Sequence, residues 1–270
     1  MDYNKIQPII EVYRAIQSEG SLNGIPHIIV RTTGCTHRCF FSEGGWCDSW
    51  YTSIHPEKGK YTLEEVKQFF VNNKDINHLM ITGGSPTMHP ELVNELITMF
   101  KTAHVQIEKS NWTWEELWAN SEGIITMETE GSHFIETDLP IDLVSISPKF
   151  SNTIPKLGTK TPIGKDVDQK LIDQHNKMRL NTHAISQMIN YHFNYQYKPV
   201  WDGTEENLQE IEDFRLALGI PKSKTWIMPA GDSKSKLLEM YPITIRMCTD
   251  NGYNFSGRDH ILAFGNEREI

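Results

Sequence analysis

The chain has 270 residues, 38% of them hydrophobic, and carries 35 acidic against 26 basic side chains for a formal net charge of −9. That length supports one substantial core or two small ones, and a single domain spanning 1–270 is expected. The negative balance gives no overall positive field for a nucleic-acid backbone or an anionic membrane, which leaves a small molecule as the expected partner.

No apolar run approaches the roughly 18 to 20 residues of a membrane span, and the polar start MDYNKIQP lacks the basic and apolar regions of a signal peptide. A soluble, cytoplasmic protein is the expectation. In that reducing compartment four cysteines argue against a disulfide framework.

In chain order, HIIVRTTGC (27–35) is a β-branched run ending in glycine and is read as a strand delivering a loop at its carboxyl end. The loop GCTHRCFFSEGGWCDSW (34–50) holds Cys35, Cys39 and Cys47, and Gly34, Gly44 and Gly45 mark it as irregular. Thiolates separated by three and seven residues converge on one point from a loop, not from a regular helix or strand. Structural zinc wants four ligands, and only His37, awkwardly set between two cysteines, is a nearby fourth. Three thiolates suit a [4Fe–4S] cluster with one iron left open for a substrate or cofactor. Cys248 stands alone and reads as buried core.

Next, YTLEEVKQFFVNN (61–73) has helical spacing, with Thr62 as N-cap and Glu65 three residues later. HLMITGGSPTMHP (78–90) is a strand breaking at Gly83, Gly84 and Pro86, after which ELVNELITMF resumes a helical period. The tryptophan-rich segment 100–123 is read as an insertion without chemistry. GIITMETEGS (123–132), DLVSISPKF (142–150), YQYKPVWDG (195–203) and KTWIMPAGD (224–232) each run from an apolar strand into a polar or glycine- and proline-marked end. Repeated parallel strand–helix units predict a curved α/β sheet with its functional groups at the carboxyl ends of the strands.

The cysteine loop resembles that of radical S-adenosylmethionine (SAM) enzymes, and the chain as a whole is similar to the 7-carboxy-7-deazaguanine synthase family. The similarity runs in family order through EVYRAIQSEGSLNGIPHIIVRTTGC (11–35), CDSWYT (47–52), TGGSP (82–86), METEG (127–131), SISPK (145–149), MPAGD (228–232) and RDHILAFGN (258–266). Two positions depart from the common pattern. Seven residues separate Cys39 from Cys47 where two are usual, so FFSEGGW must bulge outward. Ser85 stands where many radical SAM enzymes place a glutamate that helps hold the cofactor's amino group, so neighbouring groups must take over that task.

The resemblance implies a radical SAM core, a partial, open TIM-type barrel of parallel strands with flanking helices. It implies Cys35, Cys39 and Cys47 as ligands of a [4Fe–4S] cluster, with SAM chelating the fourth iron and yielding a radical that takes a hydrogen atom from 6-carboxy-5,6,7,8-tetrahydropterin, whose ring then contracts with loss of ammonia. Gly84, Ser85, Thr129, Glu130, Ser147, Pro148, Lys149, Met228, Pro229, Ala230 and Gly231 would lie along SAM. Ile16, Gln17, Glu19, Arg31, Thr82 and His260 would surround the pterin, with Arg31 on its carboxylate. Ser49 would hold Mg²⁺. An external electron donor, flavodoxin-like or equivalent, and a homodimer complete the expectation. Plainer readings stand beside these: Arg31 in an ordinary ion pair, Gln17 and Glu19 in a solvated turn, Ser147 and Pro148 merely ending a strand. A glycyl-radical-enzyme activase and a non-catalytic zinc-stabilised binding module also remain open from the residues alone.

Overall fold

The computed structural model describes residues 1–41, 45–105, 109, 111–138 and 141–269. Strands are β1 (Ile9–Ile16), β2 (Pro26–Thr32), β3 (Phe40–Phe41), β4 (Gly45–Trp46), β5 (His78–Gly83), β6 (Ile124–Thr129), β7 (Leu143–Ile146), β8 (Tyr195–Tyr197), β9 (Val200–Trp201), β10 (Trp226–Pro229) and β11 (Asn254–Phe255). Helices are α1 (Leu63–Asn72), α2 (Pro90–Ala103), α3 (Trp114–Asn120), α4 (Gln169–Met178), α5 (Thr182–Tyr191), α6 (Glu205–Ala217), α7 (Lys234–Asn251) and α8 (Asp259–Phe264).

A six-stranded sheet runs β1-β2-β5-β6-β7-β8, parallel from β2 onward, and a three-stranded parallel sheet runs β11-β10-β9. A parallel bridge between Tyr197 and Thr225 joins the two. The architecture is therefore mixed α/β with a mostly parallel central sheet. One departure from uniform strand–helix repeats is β1, which pairs antiparallel with β2 at the sheet edge. The short connection through 17–25 permits this, because an antiparallel neighbour needs no crossover helix.

Local chemistry explains the helix boundaries. Thr62 Oγ1 accepts from the Glu65 N–H at 3.2 Å while Glu65 Oε2 accepts from the Thr62 N–H at 2.7 Å, the reciprocal cap expected at the start of α1. The same box recurs with Thr113 and Glu116 at α3, so part of the tryptophan-rich segment is an ordered helix. The rest of that segment includes 106–108 and 110, which lie outside the described residues.

The strands alternate between two buried faces. Ile28 and Val30, Leu79 and Ile81, Ile125 and Met127, and Val144 and Ile146 join the helix-side core with Leu63, Phe70, Leu96 and Phe100. The intervening residues Ile29 and Arg31, Met80 and Thr82, Glu128 and Ser145 line a cavity on the other face. A strand buried on both sides reads as a nearly continuous apolar run, so the polar residues within it carry the information about the cavity.

Candidate active site

The cavity, of about 740 Å³, lies at the carboxyl ends of the parallel strands and is within the size range of small-molecule sites. Cys35, Cys39 and Cys47 all line it, and none is in a disulfide. The long spacing between the second and third cysteine is absorbed by a hairpin. β3 pairs antiparallel with β4, Phe40 packs edge-on against Trp46, and the Cys47 N–H donates to the Cys39 carbonyl at 3.1 Å. The two cysteines are thus brought side by side at the mouth of the hairpin. The expected outward bulge falls partly on 42–44, which lie outside the described residues. Arg38 fixes the first turn of the loop: its Nη1 donates to the Cys35 and His37 carbonyls at 2.7 Å, and its N–H donates to His175 Nδ1 at 3.0 Å.

Burial pushes the Cys35 thiol well up, with Glu130 and Cys39 adding to it. Burial likewise raises Cys39 to about 11 and lifts Cys47, the latter helped by Asp48. Thiols crowded this way become thiolates only when positive charge arrives among them, which is what a metal cluster supplies. Among the described residues, Cys35, His37 and Glu130 lie within 4.8 Å of one another, which mixes one thiol with two other groups and is not the tight set of four sulfur or nitrogen ligands that structural zinc requires. The donor set fits a cluster held at three corners.

The glycine pair 83–84 packs directly on this loop. A Cβ at Gly84 would meet the Gly34 carbonyl oxygen at 2.2 Å and Cys35 Cβ at 2.8 Å, so only glycine fits there. The Ser85 N–H donates to the Gly34 carbonyl at 2.8 Å, which ties β5 to the cysteine loop. Gly84, Thr129, Glu130, Ser147, Lys149, Met228, Ala230 and Gly231 line the cavity, whereas Ser85, Pro148 and Pro229 are not on its wall. Ser85 is fully buried and donates to Glu130 Oε1 at 2.6 Å. Lys149 donates to Ser147 Oγ at 2.8 Å.

On the opposite side, Ile16, Gln17, Glu19, Arg31, Thr82, His260 and Ser49 line the same cavity. Several are already engaged. Gln17 Oε1 accepts from the Ser18 and Glu19 N–H groups at 2.8 and 3.2 Å, which folds the segment after β1. Arg31 Nε donates to Glu11 Oε2 at 2.6 Å and Nη1 donates to Ser49 Oγ at 3.3 Å. Ser49 in turn donates to Asp48 Oδ1 at 3.1 Å.

A chain of charged groups continues along the wall, and most of its members were not singled out from sequence. Lys198, 3% exposed, donates to Glu19 Oε2 at 2.5 Å and Glu128 Oε1 at 2.7 Å, and Thr82 Oγ1 donates to Glu128 Oε2 at 3.3 Å. Arg258 reaches Glu19 Oε1 at 3.4 Å, Asp48 Oδ2 at 2.6 Å and the Gly231 carbonyl at 2.5 Å, so one side chain joins three segments of the wall. Arg268 pairs with Glu11 and Glu57 and lies over the Tyr51 ring, 3.7 Å from its centroid. Burial raises the Glu19 carboxyl, but Lys198, Arg258 and His260 outweigh it and hold it down at about 2. Glu128 sits inside METEG and Lys198 inside YQYKPVW; an acid and a base within otherwise apolar strands were the available signal.

No family model matches the sequence. The chain is 30% identical over 260 residues to a 7-carboxy-7-deazaguanine synthase of Rhodopirellula baltica, covering 96% of this chain and 87% of that one. It is 26% identical over 268 residues to the enzyme of that name from Halobacterium salinarum, covering 97% and 92%. Among solved structures it is similar to QueE from Escherichia coli, with a TM-score of 0.54 at 17% identity over 93% of each chain, a likeness of fold. Neither the glycyl-radical activase nor the zinc-stabilised binding module is favoured by these relatives. With identity at this level over nearly the whole of both chains, the protein belongs to the 7-carboxy-7-deazaguanine synthase family of radical SAM enzymes.

Proposed function

We propose that this enzyme converts 6-carboxy-5,6,7,8-tetrahydropterin to 7-carboxy-7-deazaguanine with loss of ammonia, within the cavity between the cysteine loop and the inward face of the sheet. The observation that carries the reading is that three free cysteines, a glycine pair packed against them and an ordered wall of charged groups all open into one space. When bound, the [4Fe–4S] cluster and SAM supply one-electron chemistry that removes a hydrogen atom from the substrate.

The chain's own residues bind and orient. Cys35, Cys39 and Cys47 hold the cluster. Gly84, Thr129, Glu130, Ser147, Lys149, Met228, Ala230 and Gly231 lie along SAM; Ser85, Pro148 and Pro229 support them from behind. Ile16, Gln17, Glu19, Arg31, Thr82 and His260 surround the pterin. Glu11 holds Arg31 by Nε and Ser49 takes one Nη1 hydrogen, which leaves the remaining guanidinium hydrogens for the substrate carboxylate. Burial lowers the His260 pKa, which keeps that ring neutral near pH 7 and able to accept or donate one hydrogen bond.

Mg²⁺ at Ser49 fits less well, because the hydroxyl already accepts from Arg31, and no step depends on it here. The strands form a single radical SAM domain curved into an open, partial barrel. Reduction comes from an external electron donor, flavodoxin-like or equivalent, and the enzyme is a homodimer, for which the exposed Leu238, Ile243 and Ile245 of α7 offer apolar surface.

The test is anaerobic reconstitution with iron and sulfide, then incubation with SAM, a reductant, Mg²⁺ and the pterin, with products read by mass spectrometry. 7-Carboxy-7-deazaguanine is expected. SAM cleavage with the pterin intact would reject the substrate.

A further inference from the structure

Glu130 follows the carboxyl end of β6, is 5% exposed, and lines the cavity next to the cysteine loop. Its two oxygens are treated differently. Oε1 accepts from Ser85 Oγ at 2.6 Å and from Ser132 Oγ, and Ser85 is itself fully buried with its Oγ 3.1 Å from Thr87 Oγ1. Oε2 is buried and has no hydrogen-bond partner. A carboxylate oxygen lies within 4.8 Å of the Cys35 sulfur and a ring nitrogen of His37. Leaving a buried carboxylate oxygen unpaired costs more than the net gain of an ordinary hydrogen bond; His37 Nδ1 comes within 3.8 Å of Oε1, and Oε2 stays open to a cationic donor brought by a ligand.

We infer that Glu130 supplies the carboxylate that binds the ammonium group of SAM, with Ser85 and Ser132 as the buttresses that aim it. The inference rests on the radical SAM reading and deepens it. It also accounts for the serine in TGGSP: a short side chain at 85 leaves room for, and hydrogen-bonds to, an acid delivered from the neighbouring strand. An ammonium is preferred over a metal ion because Cys35 is committed to the cluster and His37 Nδ1, the ring nitrogen 3.8 Å from Glu130 Oε1, already faces Thr36 Oγ1 at 3.0 Å.

The test measures binding of S-adenosylhomocysteine, which carries the amino-acid group, and 5′-methylthioadenosine, which lacks it, to anaerobically reconstituted enzyme. Glu130→Gln keeps an oxygen for Ser85 and Ser132. It should weaken S-adenosylhomocysteine by about tenfold to a hundredfold while changing 5′-methylthioadenosine by less than about twofold at unchanged iron content. Ser85→Ala, which frees the carboxylate to turn, should weaken the same ligand selectively by a smaller factor. Equal S-adenosylhomocysteine binding by wild type and Glu130→Gln would overturn the inference, as would a variant that loses bound zinc instead of ligand affinity. No binding of either ligand by the wild type would overturn the radical SAM reading on which it rests.

Discussion

Lys198 is held between Glu19 and Glu128 with almost no access to water. A buried ion triplet adds little net stability, but removing Lys198 strands Glu128 and leaves Glu19 with Arg258 at 3.4 Å as its ion-pair partner, and breaking such a pair typically costs about 3–5 kcal/mol. Lys198→Met should therefore lower the melting temperature sharply at pH 7, and a melting temperature within a degree or two of wild type would show the triplet to be hydrated. The loss should shrink in acid. Because Glu19 is held down at about 2, its stabilisation is complete above the unfolded carboxyl range near 4.3 and disappears as pH falls toward 2. Arg31 belongs to the same wall, and Arg31→Ala should raise KM for the pterin by about tenfold or more while leaving cluster content unchanged. Loss of iron together with activity would reassign Arg31 to supporting the loop through Ser49. Arg31 was readable because it closes an apolar run just before the cysteine loop. Lys198 and Glu128 were not, because a sequence reveals strand parity only once it is known which face the helices cover.

Among elements, the β3–β4 hairpin and the glycine turn after β5 decide whether three cysteines can act together. The hairpin makes a seven-residue spacing behave as a short one, since Cys39 and Cys47 are joined across its base by a backbone hydrogen bond. Cys47→Ala should abolish assembly of a full cluster, read as iron per chain, and a full complement of iron would place the third ligand elsewhere. Gly84→Ala should act on the same readout without touching a ligand. Its methyl would collide with the Gly34 carbonyl and Cys35 Cβ and push the two loops apart. Unchanged iron would mean the loops can part without consequence. The helix α1 and the strand ends were legible because capping and turn chemistry are written in adjacent residues. The antiparallel β1 was not assigned, although IIEVYRAI has strand chemistry, because its partner is chosen by the length of a connection too short for a crossover α-helix. The bond from Ser85 to Glu130 spans 45 positions and has no local sign.

For the molecule as a whole, buried histidines, His27 and His192 among them, bear on the acid limit of the fold. Burial lowers His27 and His192 to about 4. His27 Nδ1 lies 2.9 Å from the Ile25 carbonyl, while Nε2 of each ring is buried without a partner. Because the folded pKa lies below the unfolded value near 6.5, the unfolded chain binds protons first. Stability is therefore undiminished above pH 6.5 and falls by roughly 1.4 kcal/mol per pH unit per histidine between 6.5 and 4. Thermal melts of the protein from pH 7 to 4.5 should show this decline, and His27→Gln should flatten part of it; a flat profile for the wild type would mean that these rings take up protons while folded. No helix among the described residues is long and apolar enough to cross a membrane.

Cys35, Cys39 and Cys47 line one cavity and would together hold a [4Fe–4S] cluster beside the residues proposed to lie along SAM. The most direct measurement is electron paramagnetic resonance of the reduced, reconstituted protein before and after addition of SAM, together with iron and sulfide content. About four irons and four sulfides per chain are expected, with a cluster signal that changes shape when SAM binds. A protein that takes up a single zinc, or a cluster signal indifferent to SAM, would contradict this assignment.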